Sequence, residues 1–221
     1  MQGVTENGIT DWNDVMDFVM PNLKIIELKV SYRQLPTLLN LAREMYNDVQ
    51  GHYPAYYSDK KHDENEPLPI AYVSDDEQDK ADWICDRIID VWKVFDEKMP
   101  SVAIFVGDDT DIDEFVERIN DTEKLSSIDV VNCSDGRTIN RKDVVRVFRL
   151  SEVKGMEFEV VFFHNLDSAL QESNTQLMTR YIYVGLSRAT THMAATFSDE
   201  NAAKGTLKYF VTNPNQYNWE L

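Results

Sequence analysis

The sequence predicts an α/β fold, with a mainly parallel sheet and helices on both of its faces. Three observations predict it. Val102 to Val106 (VAIFV) and Phe158 to His164 (FEVVFFH) are nearly continuous apolar, β-favouring runs of strand length. Between such runs lie segments whose apolar residues keep helical spacing, clearest in Ala81, Ile84, Cys85, Ile88, Ile89, Trp92 and Phe95. The two kinds alternate along the chain, as crossover connections between parallel strands require. Right-handed crossovers then place sites at the carboxyl ends of the strands.

The elements follow in order. Asp11 to Met20 reads as a short helix with Trp12, Val15, Met16 and Val19 on one face, stopped by Pro21-Asn22. Lys24 to Val30 (KIIELKV) reads as a strand. Leu35 to Val49 reads as a helix, with Pro36 in its first turn, where a missing N–H costs nothing. Residues 50–68 are polar and turn-rich and read as a long loop. Pro69 to Val73 is a short strand, and Ser74-Asp75-Asp76 caps a long helix reaching about Lys98. After Val102–Val106, Gly107-Asp108-Asp109-Thr110 turns into a helix through about Asn120. Strands follow at Ile128–Asn132, Val144–Leu150 and Phe158–His164. A helix from Thr175 to Ala189, a strand from Thr191 to Phe197 and a helix from Ala203 to Val211 complete the chain. No internal repeat or low-complexity tract is present, and residues 1–221 read as one domain.

The composition is that of a water-soluble globular chain, 43% hydrophobic and 28% charged. No apolar run is long enough to span a bilayer, and the N-terminus lacks a signal pattern. Cys85 and Cys133 stand far apart, outside any CxxC or Cys/His cluster, which fits a reducing cytoplasm with neither disulfide nor zinc. The formal net charge is -17, which argues against tight autonomous binding to nucleic acid. The charge is uneven. Residues 1–120 hold 11 Lys and Arg against 26 Asp and Glu, or -15; residues 121–221 hold 11 against 13, or -2. Arg137, Arg141, Lys142, Arg146, Arg149 and Lys154 make a locally basic stretch, either solvated strand ends or a surface that meets phosphates.

Three short stretches carry side chains suited to a nucleotide. In Ser31-Tyr32-Arg33-Gln34, Tyr32 offers a flat ring for stacking and Arg33 a fork of donors for phosphate; the plain alternative is a helix-leading turn whose Arg pairs with a local acid. In Lys154-Gly155-Met156-Glu157, Gly155 permits a left-handed backbone, Lys154 can touch phosphate and Glu157 can accept from a sugar hydroxyl; the alternative is an ordinary lysine-glycine turn. In Arg180 to Ala189 (RYIYVGLSRA), Arg188 falls at a helix end, from which it can reach a transferring phosphate or simply complement the helix dipole.

Taken together and in this order, these stretches resemble the second motor domain of UvrD/Rep-like superfamily 1 DNA helicases. "LKVSYRQ" is similar to that family's motif IV, "SEVKGMEFEVVFF" to motif V and "RYIYVGLSRAT" to motif VI, the most specific of the three. The resemblance covers roughly residues 10–200. It implies a RecA-like three-layer sandwich, ATP as the nucleotide with Mg²⁺, and single-stranded or partly duplex DNA as a partner. It implies that Tyr32 stacks on the adenine, and that Arg33 and Arg188 contact the γ-phosphate, Arg188 as the arginine finger. Glu157 would bind the ribose, while Lys154 and Gly155 would shape the nucleotide-side loop that couples to the DNA strand. Arg180 would brace its helix. Ser31 stands where motif IV usually has Asn, and Ser151 where motif V has a His facing DNA. The gap from Gln34 to Leu150 is filled by the elements above, leaving no room for the family's large inserted 2B subdomain.

No GxxxxGK followed by Ser or Thr is present. The family carries that loop and the Mg²⁺ ligands on an N-terminal RecA-like motor domain. The expectation is therefore a C-terminal half-motor, inactive alone, whose partners are that domain and DNA, with no membrane. A non-catalytic interaction module using the acidic first half is the alternative. A metal-dependent nuclease at Asp108, Asp109, Asp111 and Asp113 is weaker, since those acids suit a helix N-terminus.

Overall fold

The computed structural model describes residues 16, 29–50, 57–125, 127–136, 143–171, 182–216 and 219. The sheet that the apolar runs predict is present, with six strands, all parallel. They are β3 (Ile70–Val73), β4 (Val102–Val106), β5 (Asp129–Asn132), β6 (Val144–Arg149), β7 (Phe158–Phe163) and β8 (Ala189–Phe197), in the spatial order β3-β8-β7-β4-β6-β5.

Alternation along the strands divides the core into two layers. Val102, Ile104 and Val106 join Val160 and Phe162 on one face, beneath α2 (Glu77–Val94) and α3 (Ile112–Asp121). Ala103 and Phe105 join Val161 and Phe163 on the other, beneath α1 (Pro36–Gln50), the helical residues 182–186 and Leu166 of the short α4 (Leu166–Gln171). The central strands are buried along their length, which is why they read as continuous apolar runs rather than alternating ones. Each fully buried side chain such as Phe105 or Phe162 contributes about 1.5–3 kcal/mol of burial. A register irregularity between Phe158 and Val160 shifts the alternation of β7 at its start. It leaves the Glu159 carboxylate free to accept from Ser101 N (2.6 Å) and Ser101 Oγ (2.9 Å), fastening the start of β4.

Local chemistry sets the helix ends. The Asp76 side chain accepts from the backbone N–H of Gln78 and Asp79, and Asp111 from that of Glu114. The long helix stops at Val94, short of the expected Lys98, because Asp96 and Glu97 adopt φ of 54° and 59°. Three other expectations are corrected. The predicted loop 50–68 contains a strand, β2 (Tyr57–Ser58), which pairs in parallel with β1 (Val30–Ser31). The last strand begins at Ala189, not Thr191, because the preceding helix has already ended at residue 186. The closing helix, α5, spans Glu200–Leu207, and Val211 instead bridges to Ile70. The sequence also gave no sign of α4. The predicted helix Asp11–Met20 apart from Met16, most of the strand Lys24–Val30, and residues 175–181 of the helix Thr175–Ala189 lie outside the described residues. Among the described residues, no helix is long and apolar enough to cross a membrane.

Candidate functional site

The candidate site begins at the corner between β1 and α1. The side chain of Gln34 is buried, and its Nε2 donates to Leu186 O (3.0 Å) and Ala189 O (3.2 Å). Leu186 O belongs to the last helical turn, where no intrahelical N–H remains to satisfy it, and Ala189 O opens β8. Leu35 N donates to Thr190 O as well (3.3 Å). The Tyr32-Arg33 turn is thereby held against the chain leading into β8.

Glu157 and Arg188 meet for a simple reason. Each immediately precedes a strand, and β7 and β8 are parallel neighbours whose register sets Phe158 opposite Ala189. Phe158 N donates to Arg188 O (3.0 Å) and closes the join. Arg33, brought by Gln34, forms an ion pair with Glu157. Thus Arg33, Glu157 and Arg188, from three separate parts of the chain, share one site. It lies at the amino ends of β7 and β8. The expectation of a site at the carboxyl ends of the main sheet is corrected, because Glu157 and Arg188 precede β7 and β8, while Arg33 follows β1 of the separate two-stranded sheet.

Arg188 is 7% exposed. Its Nε donates to Val184 O (3.0 Å) and its Nη1 to Met156 O (3.0 Å). Both acceptors are uncharged, and among the described residues no carboxylate pairs with Arg188 and no group bonds its Nη2. Burial pushes the pKa of this guanidinium down, and the nearby charge of Arg33 pushes the same way; Glu157 and Tyr183 oppose them. A buried cation with incomplete compensation favours an incoming anion. Tyr32, beside Arg33, is 73% exposed and free to stack. Lys154 is exposed, on a turn anchored by the buried Val153 and Phe158. Gly155 adopts φ +85° there, so Gly155→Ala is expected to cost about 1–2 kcal/mol, measured by urea unfolding, although a Cβ would meet nothing within 4 Å. Arg180 and Tyr181 lie outside the described residues, as do Arg137, Arg141 and Lys142 of the basic stretch.

The carboxyl edge carries a different constellation, which the sequence reading missed. Lys80 is fully buried, with Nζ donating to Glu77 Oε1 (2.6 Å), Asn165 Oδ1 (2.7 Å) and Ser198 Oγ (3.0 Å). His164 Nε2 lies 3.0 Å from Glu77 Oε2, and its Nδ1 lies 3.2 Å from Thr196 Oγ1, which accepts from Asn165 N. Burial pushes the pKa of His164 down, against the pull of Glu77. When the imidazole is neutral, Nε2 donates to Glu77 and Nδ1 is left to accept from Thr196 Oγ1. This network ties α2 to the ends of β7 and β8, and it borders a cavity of about 200 Å³ that Phe115 and Arg118 help to line. The signal for it in the sequence was His164-Asn165 directly after an apolar strand, a pair that had no visible partner.

Ser151 Oγ donates to Asp108 Oδ1 (2.8 Å), and Arg149 Nη1 donates to Asp108 O (2.7 Å) and Thr110 O (3.1 Å). Those two residues of the basic segment and its surroundings thus brace the turn after β4. Asp111 caps α3, and Asp113 Oδ1 accepts from Asn132 Nδ2 (2.7 Å). Among the described residues, no group of three or more His, Cys, Asp or Glu could hold a metal ion.

No protein-family model matches the sequence, and no curated protein matches it. The fold is similar to that in the crystal structure of the C-terminal domain of a possible DNA helicase from Lactobacillus plantarum WCFS1. That likeness has a TM-score of 0.55 at 16% sequence identity, and covers 83% of this chain and 99% of that one.

Proposed function

We propose that this chain is the C-terminal motor domain of an ATP-dependent DNA helicase or translocase of the UvrD/Rep-like kind, and that its amino-edge site completes an ATP cleft. The observation that carries the reading is Arg188, a buried guanidinium held by two carbonyls and, among the described residues, without a bonded carboxylate partner. The similarity to a domain described as belonging to a possible DNA helicase supports the same reading.

The chemistry is hydrolysis of ATP to ADP and phosphate. The bond from the γ-phosphorus to its bridging oxygen breaks as water adds, and charge spreads over the equatorial oxygens in the transition state. Arg188 is fixed in place before reaction, so its free amino group can meet that charge without reorganising. Arg33 serves as a second donor, and Glu157 is then available to accept from a ribose hydroxyl. Tyr32 stacks on the base, and Lys154 and Gly155 form the turn beside it. Mg²⁺, when bound, would neutralise charge on the phosphates; its ligands belong to a first motor domain that also supplies the phosphate-cradling loop. DNA passes across both domains, and closing and reopening of the cleft alternates the grip on the strand.

The test is ATPase activity with and without a P-loop motor domain joined to this chain. The chain alone is expected to show negligible turnover, and the joined protein DNA-stimulated turnover. DNA-stimulated turnover by the chain alone would refute the half-site reading.

A further inference from the structure

Residues 57–66 of the predicted loop are fastened to the candidate site and to the first turn of α1. Tyr57 N donates to Lys29 O (2.9 Å), and Asp59 N to Ser31 O (2.8 Å). Ser58 Oγ donates to Gln34 O (2.9 Å), and Lys60 Nζ to Arg33 O (2.8 Å). Farther along, the buried carboxylate of Glu66 accepts from Thr37 N (3.1 Å), Thr37 Oγ1 and Asp63 N (3.0 Å). A solvated loop has no need of a buried carboxylate satisfied by backbone donors. Glu66 sets the position of the whole segment against the first turn of α1.

Two side chains of this segment bear on a nucleotide. Among the described residues, the exposed large apolar side chains are Val30, Tyr32 and Tyr57, at 44%, 73% and 61%. All three belong to the β1–β2 ribbon or the turn that follows it, where Val30 pairs with Tyr57. Such a patch beside a phosphate-facing cluster fits a flat ring better than an aliphatic partner. Lys60 places an ammonium at the backbone of Arg33 and has no carboxylate partner among the described residues. With it, the cluster holds three cations, Arg33, Lys60 and Arg188, against the single carboxylate of Glu157.

We propose that Tyr57–Glu66 is a built part of the nucleotide site, in which Tyr57 adds a second aromatic surface for the base beside Tyr32 and Lys60 adds a cation for the polyphosphate. This inference rests on the nucleotide reading above and extends it to a segment that no motif covers.

Equilibrium titrations of this chain joined to a P-loop motor domain, with ATP and separately with inorganic triphosphate, followed by NMR line shifts, test it. Tyr57→Ala is expected to weaken ATP about fivefold or more while leaving triphosphate unchanged, the effect of losing one stacking surface. Lys60→Ala is expected to weaken both about tenfold, with Lys60→Arg restoring them. Both side chains are exposed, so melting temperatures should match the parent. If Tyr32→Ala weakens ATP binding but Tyr57→Ala and Lys60→Ala bind like the parent, the role of this segment is overturned and the nucleotide reading stands. If the parent binds neither ligand at millimolar concentration, both fail.

Discussion

Replacing Arg188 by alanine, in a protein that joins this chain to a P-loop motor domain, lowers ATP turnover by about 10³-fold or more, the scale on which arginine fingers act. The loss falls on kcat, because the free amino group of Arg188 meets charge that develops only in the transition state. The two carbonyl contacts, to Val184 and Met156, make the residue structural as well. Arg188→Lys separates the roles. It keeps a positive charge but cannot reach two carbonyls and a phosphate at once, so it too should lose most turnover. A melting temperature near that of the parent in the lysine variant shows that the loss is chemical. Near-normal turnover in a folded Arg188→Ala protein would remove Arg188 from catalysis.

Stability should fall steeply between pH 6.5 and about 4, with His192 as a principal cause. This residue lies fully buried on β8. It packs against Trp219 with ring centroids 5.0 Å apart, and among the described residues its Nε2 has no hydrogen-bond partner. Burial pushes its pKa down from 6.5 to about 4, offset in part by a backbone group of Trp219. The folded state thus resists a proton that the unfolded state accepts. The stability contributed is present above pH 6.5 and lost as pH falls toward 4, on the order of 3 kcal/mol in all. His164, also shifted down by burial, acts in the same direction. Hydrogen bonding from His164, aided by Lys80 and Asn165, overcomes burial to hold the carboxyl of Glu77 well below its usual range, which adds a further loss below pH 4.5. Urea unfolding at several pH values measures the slope. His192→Phe suits the aromatic surroundings and removes the unsatisfied nitrogen, so it should fold and show a clearly flatter profile. An unchanged slope in that variant would mean that His192 does not carry the effect.

Much of this was legible in the chain. VAIFV and FEVVFF announce buried parallel strands, because a strand covered on both faces has no polar positions to alternate. Asp76 announces its helix, because capping joins residues two or three apart. Tyr32, Arg33, Glu157 and Arg188 could be singled out by residue type and order. Their meeting could not. It depends on the pairing of β7 with β8 and on Gln34 reaching Leu186, 152 residues away. Placement at the amino ends, the docking of Lys60 on Arg33 and the burial of Lys80 and Glu66 were hidden for the same reason. Each is a contact between segments that carry no mark of one another.

The sequence by itself therefore determined the fold class, the central strands, the helix caps and the set of side chains suited to a nucleotide. All of these follow from periodicity and neighbours within a few residues. Only the tertiary structure decided that Arg33, Glu157 and Arg188 meet at the amino ends of β7 and β8, that residues 57–66 are fastened beside them, and that among the described residues no carboxylate bonds the Arg188 guanidinium. Those are outcomes of long-range packing, in which side chains satisfy backbone groups far away along the chain.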